Sequence, residues 1–117
     1  MSEESPNTYT GSCHCGAVTF EVDGTIDQLL SCNCSICHRK GSLLWFVPRS
    51  ALRVKGEGHL ATYTFNKHFI HHRFCKTCGM HPFGEAKDGT GAGINARCLD
   101  IDDLSVFPTV HFDGRSR

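Results

Sequence analysis

Three cysteines within six residues, Cys32-Asn-Cys34-Ser-Ile-Cys37, constrain this chain more than any other stretch. Two pairs flank the triplet, Cys13-His-Cys15 before it and Cys75-Lys-Thr-Cys78 after it. Thiols at such spacings converge readily on one metal, whereas a disulfide across so short a loop is strained. The chain has eight cysteines in all, a number that a small secreted protein would use for disulfides. Its first residues, Met-Ser-Glu-Glu-Ser-Pro-Asn, are acidic and no apolar run follows them. A cytoplasmic location with reduced thiols is therefore expected, and the pairs read as metal ligands.

Charge narrows the partners. Twelve basic and twelve acidic side chains cancel, which gives no electrostatic case for nucleic acid or an anionic membrane. No stretch approaches the roughly 20 apolar residues that a membrane-spanning helix needs. With 117 residues the chain is expected to form one domain over residues 9–117, preceded by a flexible tail at 1–8.

The local patterns are those of a mainly β protein. Val18, Phe20 and Val22 alternate with Thr19 and Glu21, which predicts a half-buried strand over Ala17–Val22. Asp23-Gly24 is a turn signal expected to lead into a second strand at Gln28–Ser31. One helical turn is predicted at Ser35–Arg39, ended by Gly41. The apolar run Leu43–Val47 predicts a buried strand, and Leu52–Lys55, His59–Phe65 and Ile70–Phe74 predict others. Pro82–Glu85, Gly93–Leu99 and Thr109–Phe112 complete the strands, with a single turn expected at Asp100–Leu104. So modest a core suits stabilisation by metal cross-links.

The outer pairs carry the firmest metal assignment. Cys13-x-Cys15 precedes Gly16 and Cys75-x-x-Cys78 precedes Gly79, and glycine lets the backbone fold tightly behind the thiolates. A structural zinc is assigned to Cys13, Cys15, Cys75 and Cys78. Cys32, Cys34, Cys37 and Cys98 remain. Either Cys98 or a histidine closes a second structural site on the triplet, or the fourth position is open to a ligand. Three thiolates make zinc a weak Lewis acid, suited to binding an incoming thiol rather than to making hydroxide. Spacing alone does not choose between them. His14 and His38 adjoin ligand cysteines, while His72 and His81 are candidates for proton transfer near an open metal.

Read together, Gly11-Ser-Cys-His-Cys-Gly16, Cys32-Asn-Cys-Ser-Ile-Cys37, Phe74-Cys-Lys-Thr-Cys-Gly79 with His81-Pro-Phe83, and Asn95-Ala-Arg-Cys-Leu-Asp100 resemble the glutathione-dependent formaldehyde-activating enzyme family. That family includes the related domain of centromere protein V. The resemblance runs from Tyr9 to Phe112 and implies a tent-like β fold of small, twisted antiparallel sheets stapled by zinc. It implies two zincs per chain, one structural on Cys13, Cys15, Cys75 and Cys78 and one catalytic on Cys32, Cys34 and Cys37. The implied activity is that of a carbon–sulfur lyase joining glutathione, or a similar thiol, to formaldehyde or another small aldehyde as an S-hydroxymethyl adduct. Arg39, Lys40, Arg73 and Arg97 are the cations that could pair with glutathione carboxylates. An alternative is a non-catalytic module with two zincs that binds a protein partner. A redox role, with a disulfide such as Cys34–Cys37, ranks below both.

Overall fold

Val18, Phe20 and Val22 do share a face, and they anchor the core. The computed structural model describes residues 7–116. Of the tail expected at 1–8, residues 1–6 lie outside the described residues, whereas Asn7 and Thr8 open a strand. That strand, β1 (Asn7–Ser12), pairs antiparallel with β2 (Thr19–Gly24). The chain then runs through β3 (Leu29–Cys32), α1 (Ser35–Lys40), β4 (Leu44–Pro48), β5 (Leu52–Lys55) and β6 (Leu60–Tyr63). It finishes with β7 (Ile70–Cys75), β8 (Phe83–Ala86), β9 (Gly91–Asn95) and β10 (Thr109–Phe112). Short 3-10 turns join several of these elements.

Two sheets result. The smaller is ordered β1-β2-β5, and the larger is ordered β10-β3-β4-β9-β8-β7-β6. The mainly β expectation therefore holds, with one departure from the antiparallel rule: β10 runs parallel to β3. The sheets meet through aromatic edges. Phe20 of the small sheet stands against Phe83 of the large one at 6.1 Å, and Tyr9 against Trp45 at 5.4 Å. Such edge-to-face pairs add to the burial of apolar surface that drives the packing. Among the described residues, no helix is long and apolar enough to cross a membrane.

Four local expectations need correction. Asp23 and Gly24 make no turn, because they lie inside β2 opposite Thr8 and Asn7. Thr8 Oγ1 donates to Asp23 Oδ1 at 2.8 Å and Arg53 holds the other carboxylate oxygen at 2.7 Å, so long-range partners outbid the local turn. β3 consequently belongs to the other sheet. The run Leu43–Val47 is not buried throughout: β4 alternates, and Phe46 is 61% exposed. The strand expected at Gly93–Leu99 stops at Asn95, whose side-chain oxygen accepts the N–H of Arg97 and starts a 3-10 turn. The turn expected at Asp100–Leu104 falls at Leu104–Val106, where Asp103 Oδ1 accepts the N–H of Ser105 at 3.0 Å.

Candidate metal centre

The two outer pairs come together at one end of the core. Cys13 and Cys15 lie in the loop between β1 and β2, and Cys75 closes β7. Each pair is bent back by its own backbone: the Gly16 N–H donates to Cys13 O at 3.3 Å, and the Gly79 N–H to Cys75 O at 2.8 Å. Both glycines are left-handed, with φ of 83° and 78°, where a side chain would be strained. The four Sγ atoms of Cys13, Cys15, Cys75 and Cys78 all lie within 4.8 Å of one another. Cys15 Sγ is 3.7 Å from both Cys13 Sγ and Cys75 Sγ. Zinc bound tetrahedrally at about 2.3 Å holds its sulfurs about 3.8 Å apart, so the donor set fits the metal. Backbone N–H groups also stabilise negative charge there. That of Met80, then that of Cys15, draws the Cys78 thiol down to about 6.

The triplet forms a second cluster, its three Sγ atoms also within 4.8 Å. Cys32 ends β3, Cys34 caps α1, and Cys37 is buried on the helix. The left-handed Gly41 ends that helix as its sequence predicts, its N–H donating to Cys37 O at 2.9 Å. Burial pushes the Cys37 thiol up to about 12, helped by the charge of Cys34. Burial acts on Cys34 too, but the N–H and thiol of Cys37 outweigh it and hold Cys34 below its ordinary value. Cys34 thus ionises before Cys37.

A clasp covers one side of the triplet. The Asn33 side chain donates to Asp113 Oδ1 at 3.1 Å and accepts the N–H of Arg115 at 2.9 Å. This presses Gly114 onto the cluster so closely that a Cβ there would stand 2.6 Å from Cys32 Sγ. Nothing in the cysteine spacing pointed to this contact.

Cys98 does not close the triplet. Its thiol lies 3.7 Å from His81 O and 3.7 Å from Asn95 Nδ2. Burial, then the charges of Cys13 and Cys78, push it up to about 11, so its electrostatic neighbours belong to the four-thiol cluster. Among the described residues, no histidine or carboxylate joins Cys32, Cys34 and Cys37 either.

A cleft of about 400 Å³ opens beside Cys34 and Cys37, lined also by Lys40, His72 and His81. The two imidazoles named as proton-transfer candidates therefore face one hollow, their ring centroids 5.9 Å apart. Both are neutral near pH 7. Burial and then Lys40 hold His72 down to about 4, and burial, Lys40 and His72 hold His81 down to about 3. Burial also lowers Lys40, offset in part by the charges of Cys37 and Cys34.

The other cations separate. Arg73 is paired with Glu85, which also takes Arg49. Arg97 donates from Nε to Gly41 O at 2.9 Å and so braces the end of α1. Arg39 lines a second, polar hollow of about 410 Å³ that shares Cys34 and Phe65 with the cleft and includes Arg115. His14 and His38 are exposed.

The model of the glutathione-dependent formaldehyde-activating enzyme family matches residues 8–112. The chain belongs to this family. A solved structure of a Rhodobacter sphaeroides protein is similar to it, at 30% identity with a TM-score of 0.76, covering 86% of this chain and 99% of that one. Membership of the family makes both thiol clusters compatible with zinc.

Proposed function

We propose that the chain joins a thiol, glutathione or one like it, to a small aldehyde, forming or cleaving an S-hydroxymethyl adduct as a carbon–sulfur lyase. Cys32, Cys34 and Cys37 would hold the catalytic zinc, and Cys13, Cys15, Cys75 and Cys78 a structural one. One observation carries the reading: three thiols converge beside a cleft while Cys98 bonds to His81 O and stays out of both clusters. Zinc bound by three thiolates supplies an available thiolate at neutral pH. Free cysteines at the site require a reducing compartment, which we take to be the cytoplasm.

In the reaction the thiol sulfur adds to the carbonyl carbon, the carbon–oxygen π pair moves to oxygen, and the oxygen takes a proton. No electrons are gained or lost overall. His72 and His81 are too weakly basic to carry that proton as imidazolium, so they act as neutral hydrogen-bonding groups around the oxygen. Lys40 is the cation lining the cleft, and its depressed pKa suits it to donate.

Exchange spectroscopy by NMR tests the reading directly, by following adduct formation from glutathione and formaldehyde. A rate well above the uncatalysed one is expected. A rate equal to it removes the enzymatic assignment. Cobalt substitution adds a second check, because thiol binding at the triplet is expected to shift the cobalt spectrum.

A further inference from the structure

The cleft is far larger than formaldehyde requires, and its shape has a cause in the sheet. Phe46, Gly93, Gly84 and His72 lie in register across four adjacent strands, β4, β9, β8 and β7. Residues paired in this way project to the same side of a sheet. Two of the four have no side chain, which lets the Phe46 ring lean over Gly93, its Cε1 3.1 Å from where a Cβ would stand. A trough is left beside it, with Phe46 and His72 as its walls. Gly91 and Ala86 continue the trough two residues along, and Ile70 of β7 pairs with Ala86. Phe46 and Ile70 are 61% and 41% exposed, large apolar groups that flank the groove and still face solvent. Volumes of roughly 300–1,000 Å³ are those of sites for whole small molecules, and formaldehyde would occupy only a small fraction of this one.

The polar hollow on the other side of Cys34 supplies the contrast. Arg39 and Arg115 line it, as do Ser35 and Asn66. Carboxylates of a thiol such as glutathione would find cations there, whereas among the described residues the trough offers only Lys40, at the thiol end. The two hollows meet at Cys34 and Phe65.

We infer that the carbonyl substrate of this chain is an aldehyde with an apolar body of several carbons, its hydrocarbon part lying in the glycine-floored trough between Phe46 and Ile70. This rests on the thiol–aldehyde reading above. The chemistry is unchanged: the thiol adds across the carbonyl, one sulfur–carbon bond forms, and the thiol proton ends on oxygen. Burial of each methylene in such a trough favours the larger substrate by about fourfold.

The experiment measures glutathione adduct formation by NMR exchange with formaldehyde, butanal, hexanal and phenylacetaldehyde, each normalised to its free carbonyl form and its uncatalysed rate. Catalytic efficiency is expected to rise along the series, with hexanal at least tenfold above formaldehyde. Efficiency that is highest for formaldehyde, or equal for all four, overturns the inference and leaves the thiol–aldehyde reading intact. Acceleration of none removes that reading, and the inference with it.

Filling the trough sharpens the test. A Cβ at Gly91 would meet no atom nearer than 3.7 Å, so Gly91→Val suits the strand. It is expected to lower the hexanal-to-formaldehyde ratio about tenfold. Phe46→Ala, at an exposed position, removes one wall and is expected to lower the same ratio. An unchanged ratio in a folded Gly91→Val protein, or in Phe46→Ala where Gly91→Val fails to fold, places the aldehyde elsewhere and overturns the inference.

Discussion

The two thiol clusters use the same donor and differ in how the chain brings the donors together. Cys15 and Cys75, sixty positions apart, touch at 3.7 Å only because the loop after β1 and the end of β7 meet across the core. Cys32, Cys34 and Cys37 need no such meeting, since they lie within the end of one strand and the start of one short helix. A metal on the first cluster closes a long loop and stabilises the fold. A metal on the second would close almost no loop, so its binding would contribute little to the fold, as the proposed catalytic role requires. What surrounds them agrees: the cleft and the polar hollow both adjoin Cys34.

This contrast can be broken most decisively by removing one thiol from each cluster. Cys75→Ser is expected to abolish cooperative folding, because structural zinc sites contribute on the order of 10 kcal/mol in small domains. Cys34→Ser is expected to keep the fold, with a melting temperature within a few degrees of the parent, while losing one metal equivalent and adduct formation. Thermal unfolding and metal analysis of both proteins decide the matter. Equal losses of stability would mean that both clusters are staples.

Within the second cluster's cleft, Lys40 carries the next largest effect. Lys40→Met retains much of the side chain's length and removes the charge, and is expected to slow adduct formation about 100-fold. The same change should raise the pKa of His72 and His81, since the Lys40 charge depresses both. NMR titration of the two imidazoles reads that rise independently of turnover.

Those imidazoles also make the cleft acid-sensitive. Their folded values, about 4 and about 3, lie below the ordinary histidine value of about 6.5. Between those limits the unfolded chain binds protons that the folded chain refuses, so stability rises with pH through this window and falls on acidification. For His81, the more deeply buried, the loss from pH 6.5 to 4.5 is on the order of 2 kcal/mol. Urea unfolding of the parent and of His81→Asn, both in excess zinc, isolates it. The variant should show the shallower acid limb, and identical limbs would refute the assignment.

How much of this was legible in the sequence depended on range. Cysteine spacing marked both clusters, the Val18–Phe20–Val22 alternation marked the core strand, and Gly41 marked the helix end, all within windows of a few residues. The cleft was not legible, because Gly84, Gly91 and Gly93 become a trough only when β4, β9, β8 and β7 are in register. Arg97 read as a cation for substrate, yet its partner is the Gly41 carbonyl, 56 positions away. Asn95 is similar. Its amide donates to His81 O at 3.0 Å and so ties the end of β9 to the residue that faces the cleft. Local pattern finds donors and turns, whereas the surfaces that select a substrate are made by distant segments meeting.

The C-terminal clasp allows the finest test of the contrast, since it touches one cluster alone. Gly114 lies against Cys32 and Cys34, and a Cβ there would be 2.6 Å from Cys32 Sγ and 3.1 Å from Cys34 Cβ. Gly114→Ala must therefore push the clasp away or displace a thiol. Because residue 114 lies near the end of the described chain, moving it costs little packing, and the melting temperature should fall by no more than a few degrees. Metal affinity at the triplet should weaken severalfold, about 1 kcal/mol, as competition with a chromophoric chelator would read it. The four-thiol cluster should keep its affinity in the same titration. Parallel weakening of both would show that the clusters are coupled through the fold, and the division between staple and reactive centre would have to be given up.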